Sequence, residues 1–257
     1  MTASAESIPY VNADEAHRLL TDALERLLRL LASLSADDWS KPTACTAWDV
    51  HDMAAHQAGG YASGVSYREM LRQYAQIPKA GQLPEDAINA LQVGERKDKS
   101  PAELIAELKQ TGPRAIHNWA YGFRAVKWIA VPHPVSGLMT LRHLMWVTHS
   151  RDTWMHRLDI CRAANRPFEQ TREHDGRIVA LVVRDVAKKL RPRAVWIYIK
   201  RWFARGEFYD SHGDDATQLG GDFIVDKNGV LRLVYPSHDP VDRPPVEALL
   251  KVLASLP

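Results

Sequence analysis

Cysteine is scarce in this chain: Cys45 and Cys161 are the two among 257 residues. One disulfide is formally available, but two cysteines do not make a disulfide scaffold, and a reducing, cytoplasmic setting is expected. An excess of one charge is also lacking. Thirty-three Lys and Arg against 31 Asp and Glu leave a formal +2. With no basic stripe of interleaved aromatics, no nucleic-acid partner is expected. No apolar run approaches the ~18–20 residues that a membrane-crossing helix needs. The first sixteen residues lack a basic segment followed by an apolar core, so neither a secretory signal nor a membrane partner is expected. Repeats and low-complexity tracts are missing too. The 46% hydrophobic and 25% charged residues are the balance of a folded globular chain, long enough for one large domain or two small ones.

What the chain does have is histidine and tryptophan, 11 and 8 of them. Most of the tryptophans read as bulky packing for a helical core. The histidines need placing on elements first. From Ala13 to about Leu34 a broad leucine stripe follows a capping Asn12 and predicts a helix. Ser35 and Asp38 can start a short turn. A second helix is expected from Trp48–Asp49 toward Gln76, weakened by Gly59, Gly60 and Gly64. Residues 77–99 read as a polar connection with one helical turn. Ser100, Pro101 and Glu103 make a capping box with proline at the first helical position, predicting a third helix to about Phe123. Val131 to Gly137 reads as loop. A fourth helix should run from Thr140 to about Ala164, stopped by Asn165 and Pro167, and a fifth from Arg172 to Leu190.

Past Pro192 the pattern changes. Ala194 to Ile199 is a β-rich run. Asp222 to Asp226 and Val230 to Tyr235 flank Lys227-Asn228-Gly229, a strong hairpin signal. Pro244-Pro245 opens a terminal helix to about Leu253. The expected fold is therefore mainly α. A four-helix bundle over residues 1–190 is followed by a small α+β piece, 191–257, with one β-hairpin and a terminal helix.

The fourth helix carries the most chemistry. Asp152 and His156 lie four residues apart, hence on one helix face, with His149 three before Asp152. A carboxylate and an imidazole so spaced can grip one divalent ion, though the same spacing also fits a hydrogen-bonded surface pair, and two ligands do not make a site. His56 on the second helix can face the bundle interior and supply a third ligand, since bundle metal sites use inward side chains of facing helices; it also fits a satisfied buried histidine. His51 and His149 read as solvent-facing or hydrogen-bonded. Cys45 reads as a small loop residue and Cys161 as buried.

Two motifs carry a resemblance. Trp39, Pro42, Thr43, Cys45, Trp48, Asp49, Val50, Asp52 and His56 form the first; Arg151, Asp152, His156, Arg157, Asp159, Ile160, Ala163, Arg166 and Pro167 form the second. Together they resemble the mycothiol-dependent maleylpyruvate isomerase family over about residues 13–190. That family is similar to the DinB-like bundles, which are metal-dependent and use low-molecular-weight thiols. The resemblance places its three metal ligands on His56, Asp152 and His156, with Asp152 where the family usually has the longer Glu. It implies a divalent metal, expected to be zinc, and mycothiol or a similar thiol. It also implies a small electrophilic substrate, attacked by the thiolate in an isomerisation or a thiol transfer. Asp52 or Asp159 would accept a hydrogen bond from a ligand imidazole. A non-catalytic metal-binding scaffold or interaction protein derived from the family is the alternative.

The tail resembles the last hairpin and helix of a peroxiredoxin-like thioredoxin fold. No cysteine follows Cys161, so thiol peroxidase chemistry is not expected there. Arg201, Arg205, Arg232 and Arg243 can meet an anionic ligand, or simply be solvated. A monomer or homodimer is expected.

Overall fold

The computed structural model describes residues 8–76, 78, 83–133 and 137–185, and then 221–225, 231–236, 250–252 and 254. The chain divides into two units, Met1–Asp185 and Val186–Pro257. The first is mainly helical, as expected. Its α1 (Ala13–Ala32) starts where Asn12 accepts a hydrogen bond from the Glu15 amide at 2.9 Å. Its leucine stripe is buried through Leu19, Leu20, Leu27 and Leu31. α2 (Val50–Ser63) and α5 (Pro101–Ala120) follow, with the Ser100–Glu103 capping box at the start of α5 as the sequence predicts. α6 (Leu141–His143) continues through a π-helical segment (Leu144–Thr148) into α7 (His149–Ala163). α1 and α2 each pack against both α5 and α7, closing a four-helix bundle. Asn165, at φ 52°, follows the end of α7 in the left-handed conformation that asparagine tolerates.

Four expectations are corrected. The second helix does not reach Gln76. It stops at Ser63 with Gly64 as its C-cap, and Ser66 caps a separate α3 (Tyr67–Tyr74) by accepting from the Glu69 amide at 3.2 Å. The polar connection holds α4 (Pro84–Gly94), about three turns rather than one. Its buried residue is polar, so an apolar stripe did not announce it: Gln92 donates to Gln73, and just past the helix buried Arg96 pairs with Glu107. The Val131–Gly137 loop belongs to a short antiparallel hairpin, β1 (Ala130–His133) with β2 (Gly137–Thr140). The fourth helix carries the π-helical segment, which a 3.6-residue periodicity cannot show. The fifth helix, α8, is seen over residues 175–185; the part expected beyond lies outside the described residues.

In the second unit β3 (Gly221–Val225) pairs antiparallel with β4 (Leu231–Pro236), giving the expected hairpin with an irregularity between Ile224 and Val225. The Ala194–Ile199 run, the Asn228-Gly229 turn, the arginines Arg201, Arg205 and Arg243, and most of the terminal helix lie outside the described residues. Residues 250–252 and 254 are helical.

Helix α2 is buried along almost its whole length and owes this to small side chains. A Cβ on Gly64 would lie 2.6 Å from the Trp119 ring and 2.7 Å from the Ala115 Cβ. The Asn118 amide on α5 donates to the Gly64 and Val65 carbonyls at 2.9 and 3.0 Å, clamping the end of α2. Gly64→Ala should therefore cost about 1–3 kcal/mol by overpacking, read as a lower urea midpoint with the helical circular dichroism retained.

A buried ion pair fastens α7 to α8. Arg157 and Asp175 side chains are 3% and 5% exposed and hydrogen-bonded to each other. Asp175 also accepts from the Trp154 indole at 3.0 Å and from the Thr171 amide at 2.7 Å. Burial would raise the Asp175 pKa, but the Thr171 amide and the Arg157 charge hold it below the usual carboxylate value. A depressed carboxylate stabilises the fold fully above its unfolded pKa of about 3.9, and loses that contribution as pH falls through the folded value. Asp175→Asn should destabilise by about 3–5 kcal/mol at pH 7 by leaving Arg157 buried and unpaired. The gap between wild type and variant should narrow at acid pH, measured by urea unfolding across pH 3–7.

Candidate metal centre

The loop before α2 is folded by its own backbone. The Val50 amide donates to the Lys41 carbonyl at 3.1 Å, and the Thr43 hydroxyl to the Trp48 carbonyl at 2.8 Å. Asp49 then caps α2 by accepting from the Asp52 amide at 2.8 Å. This fixes Trp48 over two histidines. Its ring centroid is 5.0 Å from that of His56 and 6.0 Å from that of His156. The two imidazoles meet edge-on at 4.9 Å.

Between them lies Asp152. His56 Nε2 is 3.3 Å from Asp152 Oδ2, and His156 Nε2 is 3.3 Å from Asp152 Oδ1. One donor atom from each of the three residues lies within 4.8 Å of the others. The helices supply this arrangement directly: α7 presents Asp152 and His156 one turn apart, and α2 brings His56 against them. The Asp152 side chain remains 37% exposed, so the cluster is open on one side.

The electrostatics are those of a tightly held carboxylate. Burial works to raise the Asp152 pKa, yet His156 and His56 hold it well below the usual range. Burial works to lower the His156 pKa, and the Asp152 carboxylate outweighs it, leaving the value raised. His149 is different. It stacks on Trp119 at 4.1 Å, nearly parallel, and burial pushes its pKa down to about 4 despite Asp152, so it is neutral at pH 7. It is partly exposed, and its principal described contact is the face of Trp119. His51 does hydrogen-bond, its Nε2–H donating to the Lys99 carbonyl oxygen at 2.7 Å.

The remaining candidates take different places. Asp159 Oδ2 lies 4.0 Å from His156 Nδ1, beyond a hydrogen bond. Asp52 groups with Asp49 and His51; in that second cluster the Asp49 carboxylate is already committed to capping α2. The Nδ1 atoms of His56 and His156 are both buried without a hydrogen-bond partner among the described residues. Cys45 is exposed and Cys161 buried, both as free thiols, and burial pushes the Cys161 thiol up. Sequence reasoning missed Gln57, whose side-chain amide donates to Asp152 Oδ2 at 2.7 Å. Its place next to His56 was the available signal. It also treated Trp48 only as packing.

The donor set suits a divalent ion. Two imidazoles and one carboxylate with an open side are the composition of catalytic zinc sites. The two imidazole nitrogens each lie 3.3 Å from a different oxygen of Asp152, and one donor atom from each residue falls within 4.8 Å of the others, close enough for all three to reach one ion.

A helical bundle with such a cluster on facing helices is the setting in which bundle proteins build metal sites from inward side chains. Comparison with known proteins makes the assignment narrower. The chain matches the family model described as the mycothiol maleylpyruvate isomerase N-terminal domain over residues 20–161, and it belongs to that family. Two solved structures are similar: the mycothiol-dependent maleylpyruvate isomerase, at 16% identity, and a histidine-to-alanine mutant of it, at 15%. Each match covers 93% of this chain and 85% of the other, with a TM-score of 0.48. No curated protein matches. No helix among the described residues is long and apolar enough to cross a membrane.

In metal-free protein, the His156 imidazole should titrate above its ordinary value of 6.5, the Asp152 carboxylate being the cause. Asp152→Asn removes the two largest influences that raise it and leaves burial opposed by Asp159 alone, so the midpoint should fall from the wild-type value. His149 should stay neutral down to about pH 4. Histidine proton shifts followed by NMR against pH check all three.

Proposed function

We propose that this protein is a metal-dependent enzyme using mycothiol or a similar low-molecular-weight thiol. Its reaction is a maleylpyruvate isomerase-like isomerisation, or a thiol transfer, on a small electrophilic substrate. The observation that carries the reading is the convergence of His56, Asp152 and His156 from two facing helices, with one donor atom of each within 4.8 Å of the others. Family membership supports the thiol. These three residues would hold a divalent ion, zinc being the ion that such a donor set favours.

When bound, that ion would favour the thiolate form of the cofactor thiol. The chain's own residues do the rest. Gln57 holds one carboxylate oxygen of Asp152 and limits how the shorter side chain can swing. Trp48 covers both imidazoles and keeps water from that flank. His149, neutral and stacked on Trp119, adds no competing positive charge beside the site. The open side at Asp152 leaves room for thiol and electrophile to meet. The two free cysteines agree with a reducing, cytoplasmic setting. We take the first unit as the bundle domain that carries the site and the second as a smaller α+β domain. We leave catalysis to the first.

Elemental analysis of protein purified without added metal tests the reading. About one divalent ion per chain is expected in the wild type, and none in His56→Ala or His156→Ala, with helical content retained. Mycothiol conjugation or isomerisation should then appear with a panel of small electrophiles and vanish in both variants. An ion retained in the variants would remove the ligand assignment. A bound ion with no turnover of any electrophile would favour a metal-binding scaffold.

A further inference from the structure

Around helix α7 from the histidines lies a second feature that the thiol chemistry does not use. A cavity of about 370 Å³ opens between α1, α7 and the segment after α7, and four arginines line it: Arg26, Arg29, Arg157 and Arg166. Its volume is at the small end of ligand pockets.

The guanidinium groups are drawn together by shared acceptors. Arg26 and Arg157 both reach Asp175 and the Glu169 carbonyl. Arg26 and Arg29 both approach the Glu169 carboxylate, at 3.4 and 3.3 Å. Arg166 extends from the other side and pairs with Asp38 at 2.9 Å. Arg157 is 3% exposed, yet its Nε and Nη1 have no hydrogen-bond partner among the described residues. A guanidinium carries five donors in a fixed fork, and leaving buried donors unmade is costly.

The acceptor that does face this cluster is weakly held. Glu169 is 59% exposed, and exposed ion pairs contribute little. Its carboxylate therefore occupies the position of a displaceable anion rather than of a fixed structural group. Among the described residues the four lining arginines exceed the three carboxylates that touch them, Glu169, Asp175 and Asp38, which leaves a positive surplus. Arg is also the side chain whose planar fork best matches a carboxylate or phosphate.

We propose that this cavity binds a compact oxyanion, a phosphate or a small dicarboxylate, which displaces the Glu169 carboxylate and is held by Arg26, Arg29, Arg157 and Arg166. The site is separate from the His56–Asp152–His156 cluster and independent of its function. Arg157 is the next residue after His156 on α7, so an anion here would steady the helix that carries two of the three clustered side chains.

The test is calorimetric titration of the full chain with inorganic phosphate and, separately, with succinate, each against chloride at matched ionic strength. Saturable binding of one probe is expected, and which probe binds names the ligand class. Arg29→Ala and Arg166→Ala change exposed side chains and should leave the fold intact while weakening binding about tenfold each. Glu169→Gln removes the competing carboxylate and should tighten binding several-fold. The proposal is overturned if neither probe binds beyond chloride. It is also overturned if binding is unchanged in both arginine variants, or if it is lost only in His56→Ala, which would place the anion at the histidine cluster.

Discussion

The close approach of α2 to its neighbours is the constraint on which the rest of this structure depends. A helix buried on nearly every face needs either a uniformly apolar surface or side chains small enough for others to fit around it. Here alanines and glycines do the fitting. Gly59 lies under Gln92 of α4, and Gly64 under Trp119 of α5. This tight seat leaves His56 and Gln57 little freedom, and both are buried. Their partner Asp152 sits on a different helix, 96 and 95 residues away in sequence. The geometry of the cluster is thus a product of helix packing and not of a flexible loop.

The bundle keeps its charges in separate compartments. Around Asp152 one carboxylate faces two imidazoles and an amide. Around Arg157 several guanidiniums share fewer carboxylates. Between α4 and α5, Glu107 receives both Arg96 and Lys99 at 2.6 and 2.7 Å. The first two are flanked by aromatic surface: Trp48 at the first, Phe168 against Arg157 at the second. Low local polarity strengthens each pairing and raises the cost of leaving any member alone.

Much of the bundle was legible because its helices announce themselves. The leucine stripe of α1 and the Ser100–Glu103 box of α5 are local signals, and Asp152 and His156 share a face through spacing alone. What the sequence hid was tertiary in origin. α4 turns polar Gln92 inward to donate to Gln73 of α3, and just past its end Arg96 pairs with Glu107 of α5, so no apolar period marks it. The stop after Ser63 depends on Gly64 meeting Trp119. The β1–β2 hairpin is too short, and too rich in proline, to read as strands. At the site, the type of each side chain could be read but not its partner: Gln57 gains a role only when α7 packs beside it, and His149 becomes a neutral base stacked on a ring only against Trp119.

The π-helical segment between α6 and α7 sets a phase. A π-turn is equivalent to one additional residue within a helix, and one residue corresponds to about 100° of rotation. Upstream and within the segment the helix is anchored, since the Trp146 indole donates to the Trp119 carbonyl at 2.7 Å. Everything after it is therefore turned relative to that anchor by the extra residue. Deleting a single position between Leu144 and Thr148 would restore a regular α-helix and swing Asp152 and His156 away from His56. The three-residue cluster is accordingly sensitive to chain length at a point where none of its members lies.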